Sequence, residues 1–153
     1  MQKVLFISST GGHLSEMLQL KGLFKKYAYH IVTEKTKQTL SLKNEHNVDY
    51  LIYGTKDKIS YLIKFPLNCI KSLILYFKIK PSVIVTTGAH TAVPMCFIAK
   101  LFGKKIIFIE TFANCKTRTL SGRMIYKIAD LFVVQWESML KFYPKAKVGG
   151  WIY

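Results

Sequence analysis

Two short stretches of the sequence combine glycine, hydroxyl residues and histidine, and each follows a hydrophobic run. The first is STGGH, at residues 9–13, and the second is TGAH, at residues 87–90. Glycines let backbone N–H groups approach an anion closely, and a helix that begins there adds the positive end of its dipole. Both stretches are therefore candidates for holding a phosphate, although Gly11 and Gly12 also fit a simple turn.

The two histidines of these stretches can do acid–base chemistry. His13 falls in the first turn of the helix that follows, where an imidazole can act as a general base or donate to a phosphate. His90 opens the next such helix and can share that role. A histidine that only caps or packs a helix explains the same positions. The other two histidines, His30 and His46, are expected at the surface.

A carboxylate also follows a hydrophobic run. Glu110 ends the run Lys105–Ile109, where a charged group is costly unless it lies at the rim of the domain or is paired. It can orient a sugar hydroxyl, or it can simply pair with Arg118 or Arg123.

Other chemistry is not supported by the sequence. It contains no Gly-x-x-x-x-Gly-Lys-Ser/Thr, no Gly-x-Gly-x-x-Gly and no Gly-x-Ser-x-Gly, which argues against P-loop ATPases, dehydrogenases and serine hydrolases. The three cysteines, at 69, 96 and 115, form no Cys-x-x-Cys pair. Structural zinc and a disulfide framework are therefore unexpected, and a reducing cytoplasm fits. We expect no metal and no cofactor.

Strand and helix patterns alternate along the 153 residues. The strands are expected at Lys3–Ser8, Tyr29–Thr33, Asp49–Ile52, Ser82–Thr86, Lys105–Ile109 and Leu131–Val134. The helices are expected at Leu14–Lys26, Lys58–Lys80, Thr91–Phe102 and Ser121–Ile128. Unbroken Val/Ile/Leu strands between helices are typical of a parallel sheet covered on both faces.

This alternation predicts one α/β domain over residues 1–153, Rossmann-like with a parallel sheet. The usual strand order 3-2-1-4 makes the first and fourth strands neighbours, and ligands bind where the order reverses. The two glycine stretches are therefore expected at one crevice, on the carboxyl edge of the sheet, with Glu110 on the next loop.

The charge is strongly positive. There are 23 Lys and Arg against 8 Asp and Glu, which gives a formal net charge of +15 and a pI near 9.8. Such a surface attracts nucleic acid, anionic lipid or phosphorylated ligands, or it serves only for solubility. The first residues do not form a signal peptide, and no run of 18 uncharged apolar residues is present to cross a bilayer.

The helical pattern at Lys58–Lys80 carries two apolar lines. One is expected to face the core and consists of Ile59, Leu62, Ile63, Leu67, Ile70, Leu73, Ile74 and Phe77. The other is interleaved with lysines at seven-residue steps, which suits the headgroup region of an anionic membrane. The residues expected to face the membrane are Tyr61, Lys64, Phe65, Lys71, Leu75 and Lys78. A helix buried on two sides is the alternative.

Taken in order, four motifs resemble a known family: STGGH, TTGAHTAVP, IETFAN and the segment that continues through SGRMIYKIADLFVVQW. The chain resembles the membrane-associated, acceptor-domain subunit of two-component GT-B glycosyltransferases. That oligosaccharide-biosynthesis family includes the anchoring subunit of the dolichyl-diphosphate N-acetylglucosamine transferase and small bacterial capsule and exopolysaccharide proteins. More distantly, the chain is similar to the N-terminal half of the lipid II-forming transferase. The resemblance covers nearly all of the sequence and is closest to the bacterial type.

The resemblance implies that two subunits have separate roles. The chain would be the N-terminal half of a GT-B enzyme, and a separate donor-binding subunit would hold most of the nucleotide-sugar. The two would add a sugar to a polyprenyl-diphosphate-linked saccharide in capsule or exopolysaccharide synthesis. This subunit would bind the acceptor, recruit its partner to an anionic membrane surface, and be inactive alone. Its implied location is peripheral, on the cytoplasmic face of the cell membrane, without nucleic acid as a partner.

The resemblance also implies roles for individual residues. The reaction would be an inverting transfer, with His13 as the base and Glu110 as the second candidate. The residues implied to bind the acceptor and its diphosphate are Ser9, Thr10, Gly11, Gly12, Gly88, Ala89, His90 and Asn114.

Two other functions remain open from the residues. A basic α/β module that binds nucleic acid without catalysis is permitted by the charge, but the sequence has no RNA-recognition signature and gives its glycine stretches no purpose. A self-sufficient small transferase or hydrolase is the second alternative, and no nucleophile motif supports it.

Overall fold

The structure is a computed structural model that describes residues 1–54 and 58–152, with the backbone alone at 58 and 59. Its sheet has seven parallel strands in the order β3-β2-β1-β4-β5-β6-β7. The strands are β1 (Lys3–Ser8), β2 (Ala28–Glu34), β3 (Val48–Leu51), β4 (Val83–Gly88), β5 (Lys105–Ile109), β6 (Leu131–Val134) and β7 (Lys147–Val148). The predicted fold class, the six predicted strands and the 3-2-1-4 order are confirmed, and β7 was not predicted.

Helices cover both faces of this sheet. The α-helices are α1 (Gly12–Leu18), α2 (Lys21–Phe24), α3 (Lys58–Ile79), α4 (Val93–Leu101) and α5 (Leu120–Ile125). Short 3-10 helices lie at Leu40–Asn44, His90–Ala92 and Glu137–Lys141. The single helix predicted over Leu14–Lys26 is two helices, because tight backbone bonds from Gln19 to Glu16 and from Leu20 to Met17 close α1 early.

The core has two layers, one on each face of the sheet. Helices α3, α4 and α5 pack their buried residues on one face, around Leu5, Ile84 and Phe108. Helices α1 and α2 cover the other face, around Phe6 and Ile31. Central strands β1 and β4 are buried on both faces, which explains their unbroken apolar sequences.

The orientation of α3 is the main departure from the sequence-based expectation. The line predicted to face the core is exposed, and Leu62 at 72% is its most open member. The exposed residues of that line are Leu62, Ile63, Leu67, Ile70, Leu73, Ile74 and Phe77. Leu75, Tyr76 and Ile79 lie in the core instead. The predicted inward stripe is therefore wrong at these seven positions, and Ile59 lies outside the described side chains.

A polar side chain explains why α3 turns this way. Asn68 is buried, its Oδ1 accepts from the N–H of Ile52 at 2.8 Å, and its Nδ2 donates to the carbonyl of Ile52 at 2.8 Å. Ser72, one turn later, is buried as well. The amide ties the helix to the end of β3, so the face that carries Asn68 and Ser72 points inward. Pro66 lies inside the helix. No helix among the residues described reaches the length and apolarity that a bilayer crossing requires.

Candidate functional site

The two glycine stretches meet at the carboxyl edge of the sheet, as predicted. Strands β1 and β4 are neighbours, and the N–H of Ser9 donates to the carbonyl of Gly88 at 2.9 Å. In return, the Oγ of Ser9 accepts from the N–H of Ala89 at 3.2 Å. Since Ser9 and Gly88 are buried, these bonds fix the floor of a crevice at the point where the strand order reverses.

His13 is anchored to the second stretch. Its Nδ1 lies 2.7 Å from the carbonyl oxygen of Thr87, and the hydroxyl of Thr87 donates to the carbonyl of His13 at 2.7 Å. A carbonyl only accepts, so Nδ1 carries the proton and the neutral ring keeps a free lone pair on Nε2. Gly88 makes this approach possible, because its φ is +98° and an added Cβ would lie 3.3 Å from the ring.

The glycine turn itself is open. Gly11 has a φ of +80°, and a Cβ added at Gly11 or Gly12 would meet nothing within 4 Å. Within the described residues, the backbone N–H groups of Gly12 and His13 have no hydrogen-bond partner, as is usual in the first turn of a helix. The turn thus leaves space and free donors beside the histidine ring.

Glu34 is the buried carboxylate that holds the crevice together, and the sequence analysis missed it. It ends β2 with 2% exposure. Its Oε2 accepts from the N–H of Thr10 at 3.1 Å, and its Oε1 accepts from the N–H of Gly54 at 3.1 Å and from the hydroxyl of Thr91 at 2.7 Å. One side chain therefore joins the loops after β1, β3 and β4. The reasoning that singled out Glu110, a carboxylate ending a buried strand, applies equally to Glu34.

His90 lies beside this carboxylate. Its Nε2 is 3.9 Å from Oε1 of Glu34, and it is buried without a hydrogen-bond partner among the described residues. The ring of Tyr61 meets the imidazole edge-on at 5.6 Å. Gly54 must be glycine for this packing, because a Cβ there would lie 2.5 Å from Nε2. His90 thus sits between Glu34 and the start of α3.

Glu110 is buried and does not lie at the rim of the domain. It is 1% exposed and accepts from the hydroxyls of Thr119 and Tyr143 and from the N–H of Thr111. Burial raises the pKa of Glu110 against the opposing effect of these hydrogen bonds, and it also raises the pKa of Tyr143. Among the residues that the structure describes, Glu110 forms no ion pair with Arg118 or Arg123. The carboxyl group is built into the packing of α5 on the sheet.

The amide of Asn114 is engaged in its own loop. Its Nδ2 donates to the carbonyl of Thr117 at 2.6 Å, and its Oδ1 accepts from the hydroxyl of Thr117 at 3.0 Å. Contact with an acceptor stays a prediction for this residue. In the part of the chain that is described, no group of three His, Cys, Asp or Glu side chains is arranged to hold a metal ion.

Comparison with known proteins identifies the family. The family description "Oligosaccharide biosynthesis protein Alg14 like" matches residues 4–152. The chain belongs to this Alg14-like family. The UDP-N-acetylglucosamine transferase subunit ALG14 of Kluyveromyces lactis is 30% identical over 185 residues, covering 96% of this chain and 77% of that protein. The mouse protein of the same name is 27% identical over 175 residues, covering 94% and 80%.

Solved structures support the fold of this Alg14-like chain. Acinetobacter baumannii MurG superposes with a TM-score of 0.75 at 14% identity, and Rickettsia bellii UDP-N-acetylglucosamine 2-epimerase superposes with 0.73 at 18%. The chain is covered to 97% and 94%, but it spans only 44% and 41% of those proteins. It therefore corresponds to one Rossmann-like half of GT-B glycosyltransferases and epimerases.

The residues expected to face a membrane divide into three groups in this Alg14-like chain. Lys71 and Lys78 are exposed, and Lys78 pairs with Asp49 at 2.7 Å. Tyr61, Lys64 and Phe65 are half-buried. Leu75 is 8% exposed and packs in the core, so its expected orientation is corrected. The exposed apolar residues on this side of the molecule are instead those of the line assigned to the core.

Proposed function

We propose that this chain is the acceptor-side, membrane-docking subunit of a heteromeric glycosyltransferase. Its partner would hold the nucleotide-sugar, and the sugar would pass to a polyprenyl-diphosphate-linked saccharide. The observation that carries the proposal is His13, fixed beside an open glycine turn at the strand-order reversal, with no partner for Nε2 among the residues described. The names of the relatives favour UDP-N-acetylglucosamine as the donor.

His13 supplies the base of an inverting transfer. Its Nε2 accepts the proton of the acceptor hydroxyl as that oxygen attacks the anomeric carbon of the donor. The new carbon–oxygen bond forms as the bond from the anomeric carbon to the nucleotide diphosphate breaks, and the diphosphate leaves with the electron pair. The hydrogen bond from Nδ1 to Thr87 holds the ring in the tautomer that this step requires.

The lipid diphosphate has a place in the same crevice. The free N–H groups of residues 12 and 13 offer donors next to the open turn, and the partly exposed ring of His90 lies beside the oxygen of Glu34 that does not bond to Thr10. The bonds from Glu34 to Thr10, Gly54 and Thr91 keep the three loops at fixed separation, so the donors need no reorganisation when the acceptor binds.

Membrane docking is assigned to an apolar face formed by α3 and α4. It consists of Leu62, Ile63, Leu67, Ile70, Leu73, Ile74 and Phe77 of α3, with Phe97, Leu101 and Phe102 of α4 and its end. The two helices join there, since the rings of Phe77 and Phe102 lie 5.3 Å apart. An exposed apolar patch of this extent marks an interaction surface.

An anionic bilayer is the occupant that the charge favours. The chain carries a net charge of +15, and Lys71 is exposed on α3 beside the apolar face, whereas Lys78 pairs with Asp49. Each lysine near an anionic surface adds about 1 kcal/mol of attraction. The side chains of the apolar face would enter the acyl boundary while Lys71 reaches the phosphates. The proposal includes that the protein binds the cytoplasmic side of the membrane.

The test of the catalytic role uses the two-subunit enzyme with a lipid-linked acceptor. We expect His13→Ala to lower turnover by roughly 10²–10⁴-fold, the usual contribution of a general base, with the complex still assembled. His46→Gln is the matched control, because His46 bonds to Tyr29 near the amino end of β2, away from the carboxyl edge, and should leave turnover unchanged. Intact turnover in His13→Ala would rule out His13 as the base.

The test of docking is sedimentation with vesicles of phosphatidylglycerol and phosphatidylcholine. Leu62→Asp removes a side chain that is 72% exposed on the apolar face, and its control, Leu120→Asp, changes one that is 70% exposed on α5. Burial of one leucine side chain in the bilayer contributes about 1.5–3 kcal/mol, so Leu62→Asp should weaken vesicle binding by about tenfold or more. Leu120→Asp should bind vesicles like the wild type. Equal binding by both variants would contradict the assigned face.

The biosynthetic pathway in which the chain acts is the most specific part of the proposal. Assembly of capsule or exopolysaccharide remains a prediction of the sequence resemblance, since the relatives described above are eukaryotic UDP-N-acetylglucosamine transferase subunits. Transfer assays with a panel of polyprenyl-diphosphate-linked saccharides would identify the acceptor directly.

A further inference from the structure

Two aromatic rings near the start of α3, those of Tyr61 and Phe65, belong neither to the core layers nor to the apolar face. Both side chains are half-buried, while Leu62 and Ile63 between them are exposed at 72% and 63%. The two rings stack at a centroid distance of 5.5 Å, and we call them the aromatic wall. They were expected to face a membrane, and their half-buried position calls for a different role.

The aromatic wall lies between the apolar face and the crevice. Helix α3 follows β3, so it begins at the carboxyl edge of the sheet, where the crevice lies. Residues three or four apart are neighbours on a helix surface, so Phe65 adjoins both Leu62 of the apolar face and Tyr61. The ring of Tyr61 then meets the imidazole of His90, the last residue of the second glycine stretch, at 5.6 Å. A continuous track of apolar surface therefore leads from the apolar face to the crevice.

The polar end of this track is tied to the first glycine stretch. His90 lies beside Glu34, with 3.9 Å between Nε2 and Oε1, and the other carboxylate oxygen accepts from the N–H of Thr10. The aromatic wall is thus held at a fixed place relative to both glycine stretches. Helix α3 contains no Asp or Glu, so none of its side chains repels an anion at this end of the crevice.

A polyprenyl diphosphate needs such a track, because its two unlike parts are joined by a single carbon–oxygen bond. When the diphosphate is at the glycine turn and the end of the tail is in the bilayer, the carbons nearest the phosphate must pass between them. Hydrocarbon that crosses this interval in water gives up the free energy that burial on an apolar surface supplies. Aromatic side chains provide large apolar surfaces of this kind.

We infer that the aromatic wall binds the first isoprene units of the lipid-linked acceptor, next to its diphosphate. The inference rests on the proposed function for the identity of the acceptor, and it names the residues that hold the lipid part of it.

This role differs from membrane docking. The apolar face continues away from the crevice to Phe77 and Phe102, whose rings lie 5.3 Å apart at the far ends of α3 and α4. A bilayer can cover the whole of that face, whereas the aromatic wall is the part of α3 that reaches His90. A substitution in the wall should therefore weaken binding of a short prenyl diphosphate even when no bilayer is present.

The test compares geranyl diphosphate, which has two isoprene units and is soluble, with inorganic pyrophosphate, using isothermal titration calorimetry on the full chain. Geranyl diphosphate should bind at least about tenfold more tightly, because its hydrocarbon is buried on the wall. Phe65→Ala should remove about tenfold of geranyl diphosphate affinity and leave pyrophosphate affinity unchanged, which also shows that the variant is folded. Phe65→Leu keeps the apolar bulk and should retain most of the affinity.

Tyr27→Ala is the control variant. It removes a half-buried ring on the opposite face of the sheet and should bind both probes like the wild type. Equal affinity of the wild-type chain for the two probes would overturn the inference and leave the acceptor site standing, as would an equal loss of both affinities in Phe65→Ala. Binding of neither probe would contradict the proposed acceptor site itself. No transfer is measured, so the result does not depend on whether His13 is the base.

A kinetic readout in the two-subunit enzyme separates the wall from a structural role. With a saccharide linked to geranyl diphosphate as the acceptor and no bilayer present, Phe65→Ala should raise KM about tenfold and leave kcat unchanged. A loss of kcat with unchanged KM would contradict the inference. Loss of the partner on co-purification of Phe65→Ala would also overturn it and assign the wall to the subunit interface.

Discussion

The crevice at the carboxyl edge and the apolar face of α3 and α4 are built by opposite rules. In the crevice, polar groups are buried and each is tied to another loop, as Glu34 is to Thr10, Gly54 and Thr91. On the apolar face, hydrophobic side chains stand in solvent while Asn68 of the same helix is buried and bonded to Ile52. Each region breaks the ordinary rule of polar outside and apolar inside.

Because of this difference, substitutions in the two regions should affect stability and function differently. A buried carboxylate is expensive unless its hydrogen bonds are complete, so changes in the crevice should affect both stability and transfer. An exposed leucine costs the folded state almost nothing, so changes on the apolar face should affect binding and leave stability alone. The following substitutions test this contrast, in order of decreasing effect.

The largest effect is expected from two neighbouring residues of α3. Leu75→Ala removes a side chain that is 8% exposed and packs in the core, so it should lower the free energy of unfolding by about 2–5 kcal/mol. Ile74→Ala removes one that is 60% exposed, so it should change that free energy by less than about 0.5 kcal/mol. Urea unfolding of both variants measures the difference. The reverse order would mean that α3 faces the core with the line predicted from the sequence.

A smaller effect is expected from Glu34→Gln. The substitution keeps the size of the side chain but replaces one carboxylate oxygen with an NH₂ group that faces N–H or hydroxyl donors. One donor is then left without its acceptor, which should cost about 1–3 kcal/mol of unfolding free energy and raise KM for the lipid-linked acceptor. Glu45→Gln, at an exposed glutamate, should change neither quantity.

Coupling to Thr91 shows whether Glu34 acts through the loops. Thr91→Val removes the hydroxyl that donates to Oε1 of Glu34. If the two residues share one network, the double variant should lose less stability than the sum of the single variants. Strict additivity would show that the carboxylate does not join the loops energetically.

The crevice was largely predictable because its position follows from topology. Once β1 and β4 are neighbours, the residues after them must meet, so the prediction that the two glycine stretches share one crevice required no knowledge of side-chain packing. The contacts of Ser9 with Gly88 and Ala89 are how the structure realises it. Glu34 was missed although the signal was present, since it directly follows the predicted strand Tyr29–Thr33 as Glu110 follows Lys105–Ile109. The hydrogen-bond partners of Glu110 could not be predicted from the sequence, since Thr119 and Tyr143 reach it from separate segments.

The rotation of α3 was not predictable from periodicity. Two apolar lines run along the helix, and hydrophobicity alone does not say which one packs on the sheet. The decision lies with Asn68, which finds both of its partners on Ile52, sixteen residues earlier in the chain. An amide among the apolar residues of the helix was a visible signal, but its partner depended on where β3 ends.

The smallest effect is a pH dependence at Glu110. Burial raises its pKa above the usual 4.5, so over the interval above pH 4.5 the folded chain holds a proton that the unfolded chain has released. The contribution to stability is complete below pH 4.5 and is lost as pH rises through the raised pKa. Glu110→Gln has no such proton, so the unfolding free energy of the wild type should fall relative to that of the variant across this interval. Urea titrations at a series of pH values measure it.

A second variant, Tyr143→Phe, tests the cause of the Glu110 pKa shift and bears on catalysis. The Tyr143 hydroxyl donates to the carboxylate and favours its ionised form, so its removal should extend the fall to higher pH. The Glu110 carboxyl group is buried and its oxygens already accept from Thr111, Thr119 and Tyr143, which is why His13, with its free Nε2, is the base that we propose. If the wild type shows no fall relative to Glu110→Gln, the carboxylate ionises as an exposed glutamate does. Glu110 would then compete with His13 as the base, and the contrast between a structural and a reactive group in the crevice would fail.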